Sequence, residues 1–263
     1  MHPHNIVYRD LWYCFIRIIS AIFNSSIPFN GFFIQAKMKN ENPYAYILTL
    51  LSSSERRTNV HDNIIPYLEQ GRFEIYPAID ARTNELEFFR EKHPEVNRIS
   101  LTDPEDGDLR TRMALIYGFS RILEDVRSKN RNNFIFFEDD AVLLPMFYDN
   151  LQKALEQTPQ GWDVLKLHCC RQPLNTGAVM EVAEYPDSFG GSFYGTDAII
   201  FSDSGIAKII KLLYSSQLRG IDSLVHDVGI RAGALKGYYV NNTICAHQHG
   251  FLKTTGIGKR YGY

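Results

Sequence analysis

Cysteine and surplus positive charge are both scarce in this sequence, and each shortage excludes a class of protein. The chain of 263 residues has four cysteines, and none of them shows the C-x-x-C spacing of a zinc knuckle. They are Cys14, Cys169, Cys170 and Cys245. We expect free thiols in a reducing compartment rather than a disulfide scaffold. The formal net charge is -2, so the chain lacks the basic field that nucleic-acid binding requires, and we expect no nucleic-acid partner.

The amino-terminal region contains an apolar run that is too short to cross a membrane. Residues 11–23 are apolar apart from Arg17 and Ser20, whereas a spanning helix needs about 20 apolar residues. We expect this run to pack as a helix onto the rest of the protein, or to lie along a membrane surface as a peripheral contact. Residues 1–40 are interpreted as an amino-terminal extension and residues 41–263 as the main domain. A cytoplasmic or membrane-peripheral location is favoured over secretion.

Strand-like and helix-like segments alternate along the rest of the chain. Short apolar runs predict strands at 45–51, 73–77, 134–137, 162–168 and 191–201, and helical spacing predicts helices at 52–66, 111–127, 202–213, from 145 and from 224. Residues 82–109 are polar and broken by Pro94 and Pro104, so we interpret them as a variable excursion. Alternating strands and helices in one block predict a single α/β domain.

Three consecutive acidic residues follow the apolar strand predicted at 134–137. Side chains alternate along an extended chain, so Glu138 and Asp140 should face one way and Asp139 the other. Like charges this close repel one another, and a cation between them relieves the repulsion. Carboxylate oxygens suit Mg²⁺ and Mn²⁺, and either ion can bridge a diphosphate. We interpret the three residues as metal ligands; the alternative is a solvated acidic turn or the acidic start of the next helix.

Three further acids and a pair of histidines are candidates for the same site. Asp80 follows the strand 73–77 at its carboxyl end, where α/β folds place ligand-binding side chains. Asp197 interrupts an apolar strand, where burying it alone would be costly. Asp197 or Asp222 can deprotonate an acceptor hydroxyl, although Asp222 can equally cap the helix that follows it. His249, or its neighbour His247, can complete an oxygen-rich metal site, although terminal histidines more often lie on the surface.

The order and spacing of these segments resemble glycosyltransferase family 25, which includes bacterial lipooligosaccharide galactosyltransferases and collagen-modifying galactosyltransferase domains. The matching stretches are ILTLLSSSERR (47–57), EIYPAIDA (74–81), GDLRTRMALIYGFSRILED (107–125), FIFFEDDAVLLP (134–145), WDVLKLH (162–168) and FYGTDAIIFSDSGIAKII (193–210). They span nearly all of the chain from Ala45 to about Asp227. The stretches that contain EDD and GTDAIIFSDSG are the most specific.

The resemblance implies a GT-A-type fold, a nucleotide-binding sandwich with a mixed, mostly parallel central sheet flanked by helices. It implies inverting transfer of a hexose, usually from a UDP-hexose, to a glycan or protein-linked hydroxyl, with Mn²⁺ or a similar ion. It matches Asp140, with Glu138 or Asp139 beside it, to the metal and diphosphate position, and Asp222 to an acidic position near the acceptor. The positions that line the nucleotide are matched by Thr49, Leu50, Arg57 and, near the base or ribose, Asp80.

Two other classes of function remain as alternatives. One is a catalytically inactive module of the same fold that binds a sugar nucleotide or serves as a scaffold. The other is a phosphoester hydrolase that uses the acids and histidines as a metal cluster. A hydrolase of that kind would show D-x-H or G-N-H-D motifs, and the sequence contains neither. Metal-dependent binding of UDP would distinguish the transferase from both alternatives.

Overall fold

The computed structural model of the protein describes residues 42–101, 109–168, 182–184, 195–240 and 244–247. The expectations for residues 1–40, for the apolar run 11–23, for His249 and for three of the cysteines lie outside these ranges and stay predictions. Cys245 is described, and it is a buried free thiol as expected. Within these ranges the structure contains no helix that is both long and apolar enough to cross a membrane.

A seven-stranded mixed sheet is the central element of the described residues. The strands are β1 (Tyr44–Thr49), β2 (Phe73–Pro77), β3 (Ser100–Leu101), β4 (Asn133–Glu138), β5 (Ala141–Leu143), β6 (Val164–Lys166), β7 (Val182–Glu184), β8 (Ala198–Ser202), β9 (Gln217–Leu218), β10 (Gly237–Val240) and β11 (Cys245–His247). The order across the sheet is β2-β1-β4-β8-β6-β10-β7. Only β8 and β7 run against the common direction of the other strands in this sheet. The short strands form two separate pairs, β11 with β5 and β3 with β9.

Helices flank this sheet on both faces. The α-helices are α1 (Ser54–Asn59), α2 (Glu85–Lys92), α3 (Leu109–Ser128), α4 (Phe147–Gln157) and α5 (Asp203–Ser215). A π-helical turn over Val60–Ile64 and a 3₁₀ turn over Ile65–Tyr67 extend α1, another 3₁₀ turn spans Pro94–Arg98, and a second π-helix spans Ser223–Arg231. The chain therefore has an α/β fold with a mixed, mostly parallel central sheet, as the sequence predicted.

Alternate residues of the central strands enter two separate hydrophobic clusters. In β4, Phe134 and Phe136 pack in the cluster that includes residues of α3 and α5, while Ile135 and Phe137 pack in the cluster that includes residues of α4. All four side chains are fully buried. Burial of each such side chain contributes about 1.5–3 kcal/mol by removing it from water. A strand covered on both faces gains this at every position, which explains why the sequence of β4 is apolar without alternation.

The structure corrects the prediction for the polar segment 82–109. Its described part contains α2 and β3 rather than an irregular excursion. Leu86 and Phe89 lie three residues apart on α2 and are buried, and Phe89 stacks on Tyr117 of α3 with ring centroids 6.1 Å apart. This contact stabilises a helix whose remaining residues are mostly charged, so the polar composition misled the prediction.

Three predicted boundaries also shift. β6 covers only Val164–Lys166, and β8 begins at Ala198, three residues after Gly195, whose φ is 108°. α4 begins at Phe147, after a left-handed residue at Met146, so it does not include Pro145.

Gly205 lies where the first turn of α5 comes closest to the residue before β6. A Cβ atom at this position would lie 2.1 Å from the carbonyl oxygen of Asp163. Asp163 is fully buried and this carbonyl already accepts the N–H of Ser202 at 3.0 Å, so it has little freedom to move. We expect Gly205→Ala to lower the free energy of unfolding by about 3 kcal/mol or more, despite the greater helix propensity of alanine. Urea denaturation followed by circular dichroism measures the loss.

Gly118→Ala in α3 is the matched control. The nearest atoms to its added Cβ are methyl carbons of Leu48 at 3.0 and 3.3 Å, which belong to a side chain that can rotate. We expect a loss at least twofold smaller than for Gly205→Ala. A Gly205→Ala protein as stable as the wild type would show that α5 does not approach Asp163 as closely as described.

Candidate functional site

One edge of the central sheet collects most of the polar side chains that the sequence singled out. β1, β4 and β6 end at this edge, and β8 begins there because it runs antiparallel to both β4 and β6. The edge therefore brings together Leu50, residues 138–140, His168 and residues 195–197. Ligands of α/β proteins bind at the carboxyl ends of strands, so this edge is the candidate site.

Four carboxylates at this edge, Glu138, Asp140, Asp197 and Asp222, are here named the acidic cluster. Burial raises the pKa of Glu138 well above its usual range, and the charges of Asp140 and Asp222 raise it further. Burial, followed by the charge of Asp197, raises the pKa of Asp140 to about 7. Burial also raises the pKa of Asp222, although the positive charge of Lys166 opposes the rise. Glu138, Asp140 and Asp222 are half-buried residues, and Oδ1 of Asp140 is itself fully buried.

Asp139 points to the other side of the strand end, toward α1 and the loop before it. Its carboxylate accepts the N–H of Leu50 at 2.9 Å and forms an ion pair with Arg56. Asn59 donates through Nδ2 to the Asp139 carbonyl oxygen at 2.9 Å. Asp139 is buried, with protein donors on both carboxylate oxygens. Asp139 and Glu138 thus face opposite sides, as the alternation of side chains predicted.

Residues 195–197 connect the acidic cluster to β6. The Thr196 hydroxyl donates to the carboxylate of Glu138, and the N–H of Glu138 donates to the Asp197 carbonyl at 3.0 Å. The Asp197 carboxylate is hydrogen-bonded to Nδ1 of His168, and both residues are buried. The sequence indicated that burying Asp197 alone would be costly, and the histidine reduces that cost by providing a donor.

Asp222 lies at the start of the π-helix Ser223–Arg231, but its side chain makes no capping hydrogen bond there. The alternative interpretation of Asp222 as a helix cap is therefore wrong. Its Oδ1 instead accepts the N–H of Gly195 at 3.1 Å. Asp222 thus belongs to the acidic cluster and also to the support of residues 195–197.

The residues matched to the nucleotide lie after β1 and β2. The Thr49 hydroxyl is buried and has no hydrogen-bond partner among the described residues. Leu50 gives its N–H to Asp139, and the exposed side chain of Arg57 donates to the carbonyl of Leu51. These contacts hold the loop after β1 against the edge of the sheet, next to the acidic cluster.

Asp80 is buried after β2 and is surrounded by donors. Arg82 donates to its two oxygens from Nε at 2.8 Å and Nη2 at 2.7 Å, and the Ser52 hydroxyl donates at 2.8 Å. These bonds hold the pKa of Asp80 well below its usual range, and those from Arg82 have the largest effect. Burial alone would raise the pKa. The carboxylate therefore ties the loop after β1 to the loop after β2.

We expect Asp80→Asn to lower the free energy of unfolding by about 2–3 kcal/mol at pH 7, because an amide cannot accept from both guanidinium nitrogens. The folded-state pKa is depressed below the unfolded value of about 3.9. The contribution of Asp80 is therefore complete above that value and is lost as the pH falls toward the folded-state pKa. The difference between wild type and variant should be constant from about pH 5 to 8 and shrink below about pH 4. Urea denaturation across this range measures it.

Glu87→Gln provides the matched control for Asp80→Asn. Glu87 also pairs with an arginine, Arg110, but the two side chains are 48% and 47% exposed. A surface pair of this kind is screened by water and contributes little to stability. Equal losses for the two variants would contradict the argument that burial makes the Asp80 pair the stronger one.

Sequence reasoning did not select Lys166, His168, Thr196 or His226 as site residues. Lys166 is fully buried, and His168, Thr196 and His226 are nearly so. One signal was available, because Lys166 stands between two leucines in an apolar strand, where a charge requires a partner. His168, two residues further on, shares the face of Lys166 in an extended chain.

The donors at this edge fit a divalent cation in chemistry, although they do not form a complete cage. Within the described ranges, no group of three or more His, Cys, Asp or Glu side chains is arranged to hold a metal ion. His249, the other expected ligand, lies outside those ranges. Mg²⁺, however, is usually held by one or two carboxylates together with substrate phosphates. Glu138 and Asp140 are half-buried carboxylates that repel each other, so they fit an ion that arrives with a diphosphate.

Comparison of the chain with known proteins adds no relative. No protein-family model matches it, and no curated protein matches it.

Proposed function

We propose that the chain is a metal-dependent glycosyltransferase of GT-A type that transfers a hexose, with inversion, from a nucleotide-sugar to a hydroxyl of a glycan or protein-linked acceptor. A UDP-hexose is the expected donor and Mn²⁺ or Mg²⁺ the expected ion. The observation that carries the proposal is the acidic cluster, which lies at the ligand-binding edge of a mostly parallel sheet. Sheets of this kind occur in proteins with many different functions, so the proposal rests on these side chains and not on the fold class.

Glu138 and Asp140 would hold the ion, with diphosphate oxygens completing its shell. When bound, the ion neutralises the charge that develops on the leaving diphosphate. The nucleotide is assigned to the loop after β1, with Thr49, Leu50 and Arg57, because this loop adjoins the acidic cluster through Asp139. Asp139 keeps that loop in place by accepting the N–H of Leu50 and by forming an ion pair with Arg56 of α1.

Asp222 is the proposed base. It accepts the proton of the acceptor hydroxyl while the new bond from that oxygen to the anomeric carbon forms. The bond from the anomeric carbon to the diphosphate oxygen breaks, and the electron pair leaves with the nucleoside diphosphate. Burial raises the pKa of Asp222, which moves it toward the range in which a carboxylate is an effective base near neutral pH. Asp197, the other acid considered for this role, is buried against His168 and is assigned to support.

Calorimetric titration of the purified chain with UDP, GDP, CMP and ADP, each with and without Mn²⁺, tests the proposal. We expect UDP to bind, and to bind at least tenfold more tightly with Mn²⁺, because the acidic cluster repels a diphosphate in the absence of a cation. Metal-dependent binding without release of UDP from any UDP-hexose would favour the inactive binding module. A folded chain that binds none of these nucleotides would contradict the proposal and make residues 138–140 a solvated acidic turn.

A further inference from the structure

Lys166 is a fully buried lysine at the end of β6, on the sheet edge that holds the candidate site. It lies in β6 between Leu165 and Leu167, and its exposed fraction is 0%. Removing a charged amino group from water costs several kcal/mol unless good hydrogen bonds compensate. Its Nζ lies 2.5 Å from the carbonyl oxygen of Gly195, at the candidate site. Core packing alone therefore does not explain a lysine at this position.

Gly195 is held on both sides of its backbone. Lys166 donates to its carbonyl oxygen, and Nε2 of His226 lies 3.4 Å from the same oxygen, a contact that requires the tautomer with the proton on Nε2. Asp222 accepts the N–H of Gly195 at 3.1 Å. The φ of Gly195 is 108°, a backbone conformation that residues with a side chain rarely adopt. Three polar side chains from β6 and the π-helix thus hold one unusual backbone position.

The two residues after Gly195 contact the acidic cluster. Thr196 donates to Glu138, and Asp197 is hydrogen-bonded to His168. Any shift of the Gly195 peptide is transmitted to Glu138 through Thr196 and to Asp222 through the shared hydrogen bond. Catalytic groups displaced by about 1 Å can lose roughly 100-fold in rate, so the fixing of this peptide matters for chemistry.

We propose that Lys166 is a positioning residue, which holds the Gly195 peptide so that Glu138 and Asp222 are kept in the arrangement that sugar transfer needs. The inference rests on the proposed function for its catalytic consequence, but the clamp on Gly195 can be measured without activity. A positioning residue of this kind acts through Gly195 and does not contact the substrate.

The test compares Lys166→Met with Lys208→Met. Lys208 likewise donates to a buried oxygen, Oδ2 of Asp163 at 2.5 Å, but this pair lies at the opposite end of β6. Hydrogen–deuterium exchange is measured for the amides of Gly195 and Glu138, and UDP release from UDP-galactose and UDP-glucose with Mn²⁺ is followed in parallel. For Lys166→Met we expect both amides to exchange at least tenfold faster, kcat to fall about 100-fold and the donor KM to change less than about threefold. Lys208→Met should leave all of these values unchanged.

Unchanged exchange at Gly195 and Glu138 in Lys166→Met would overturn the clamp. Faster exchange with unchanged kcat would overturn the positioning role while leaving the proposed function intact. If the wild type releases no UDP, the proposed function fails separately, and the exchange rates still decide whether Lys166 holds Gly195. If Lys166→Met does not fold, His226→Leu removes the weaker contact to the same carbonyl and is expected to change exchange and kcat in the same directions, by about three- to tenfold.

Discussion

Asp140→Asn is expected to abolish sugar transfer while the chain stays folded. Asparagine preserves the size of the side chain but removes the charge that a hard cation requires, so we expect UDP release to fall at least about 10³-fold. The substitution also removes a like charge from the acidic cluster. In wild type the pKa of Asp140 is raised to about 7. The contribution of this side chain to stability therefore becomes unfavourable as the pH rises through that value. In metal-free buffer the variant should therefore be at least as stable as wild type at pH 8, and the difference should disappear near pH 4.

Asp149→Asn is the control for this experiment. Asp149 is an exposed acid in the first turn of α4, so the change in net charge is the same. We expect wild-type UDP release from this variant. UDP release at the wild-type rate by a folded Asp140→Asn protein would remove the metal assignment. Loss of UDP release in both variants would point to a general effect of charge and not to a ligand.

Asp222→Asn is expected to reduce kcat by about 10²–10⁴-fold, the usual range for loss of a general base. Binding of UDP in the presence of Mn²⁺ should change less than about threefold, because the base acts in the transition state and not on the bound donor. The amide oxygen of asparagine can still accept the N–H of Gly195, so the backbone contact at 3.1 Å is preserved. Steady-state kinetics with saturating UDP-hexose and calorimetry with UDP measure the two effects separately.

Asp222→Ala separates the two roles of this side chain. It loses the proposed base and the acceptor for Gly195 together, so it should also show faster amide exchange at Gly195, which Asp222→Asn should not. Equal losses in UDP binding and in kcat for Asp222→Asn would indicate that the residue is structural. A second acid would then have to accept the proton.

The elements that the sequence predicted well are those whose signal is local. The apolar run 134–137 predicted β4, observed at Asn133–Glu138, and the spacing of apolar residues from 111 to 127 predicted α3, observed at Leu109–Ser128. The helix predicted at 202–213 is α5, and the hydroxyl of Ser202 caps it by accepting the N–H of Gly205 at 3.1 Å. Capping and periodicity involve residues within a few positions of one another, so they can be seen in the sequence.

Other features depended on contacts that no local pattern contains. α2 forms because Leu86 and Phe89 find a buried surface, including Tyr117 of α3, within a segment whose composition is polar. Asp222 had equal claims as a helix cap and as a site residue; in the structure its side chain makes no capping hydrogen bond and accepts the N–H of Gly195 instead. Sequence reasoning missed Lys166 as a site residue because it donates to a backbone carbonyl that the sequence could not place beside it.

By itself the sequence determined the α/β class, the five strands β1, β2, β4, β6 and β8, the helices between them other than α2, and the placement of acids at strand ends, because these follow from hydrophobic periodicity and chain direction. The tertiary structure alone decided which distant residues each acid meets. Asp139, Asp197 and Asp222 find Arg56, His168 and Gly195 at sequence separations of 83, 29 and 27 residues. Folding brings these partners together at one edge of the sheet, where burial and like charges raise the pKa of Glu138 and Asp140.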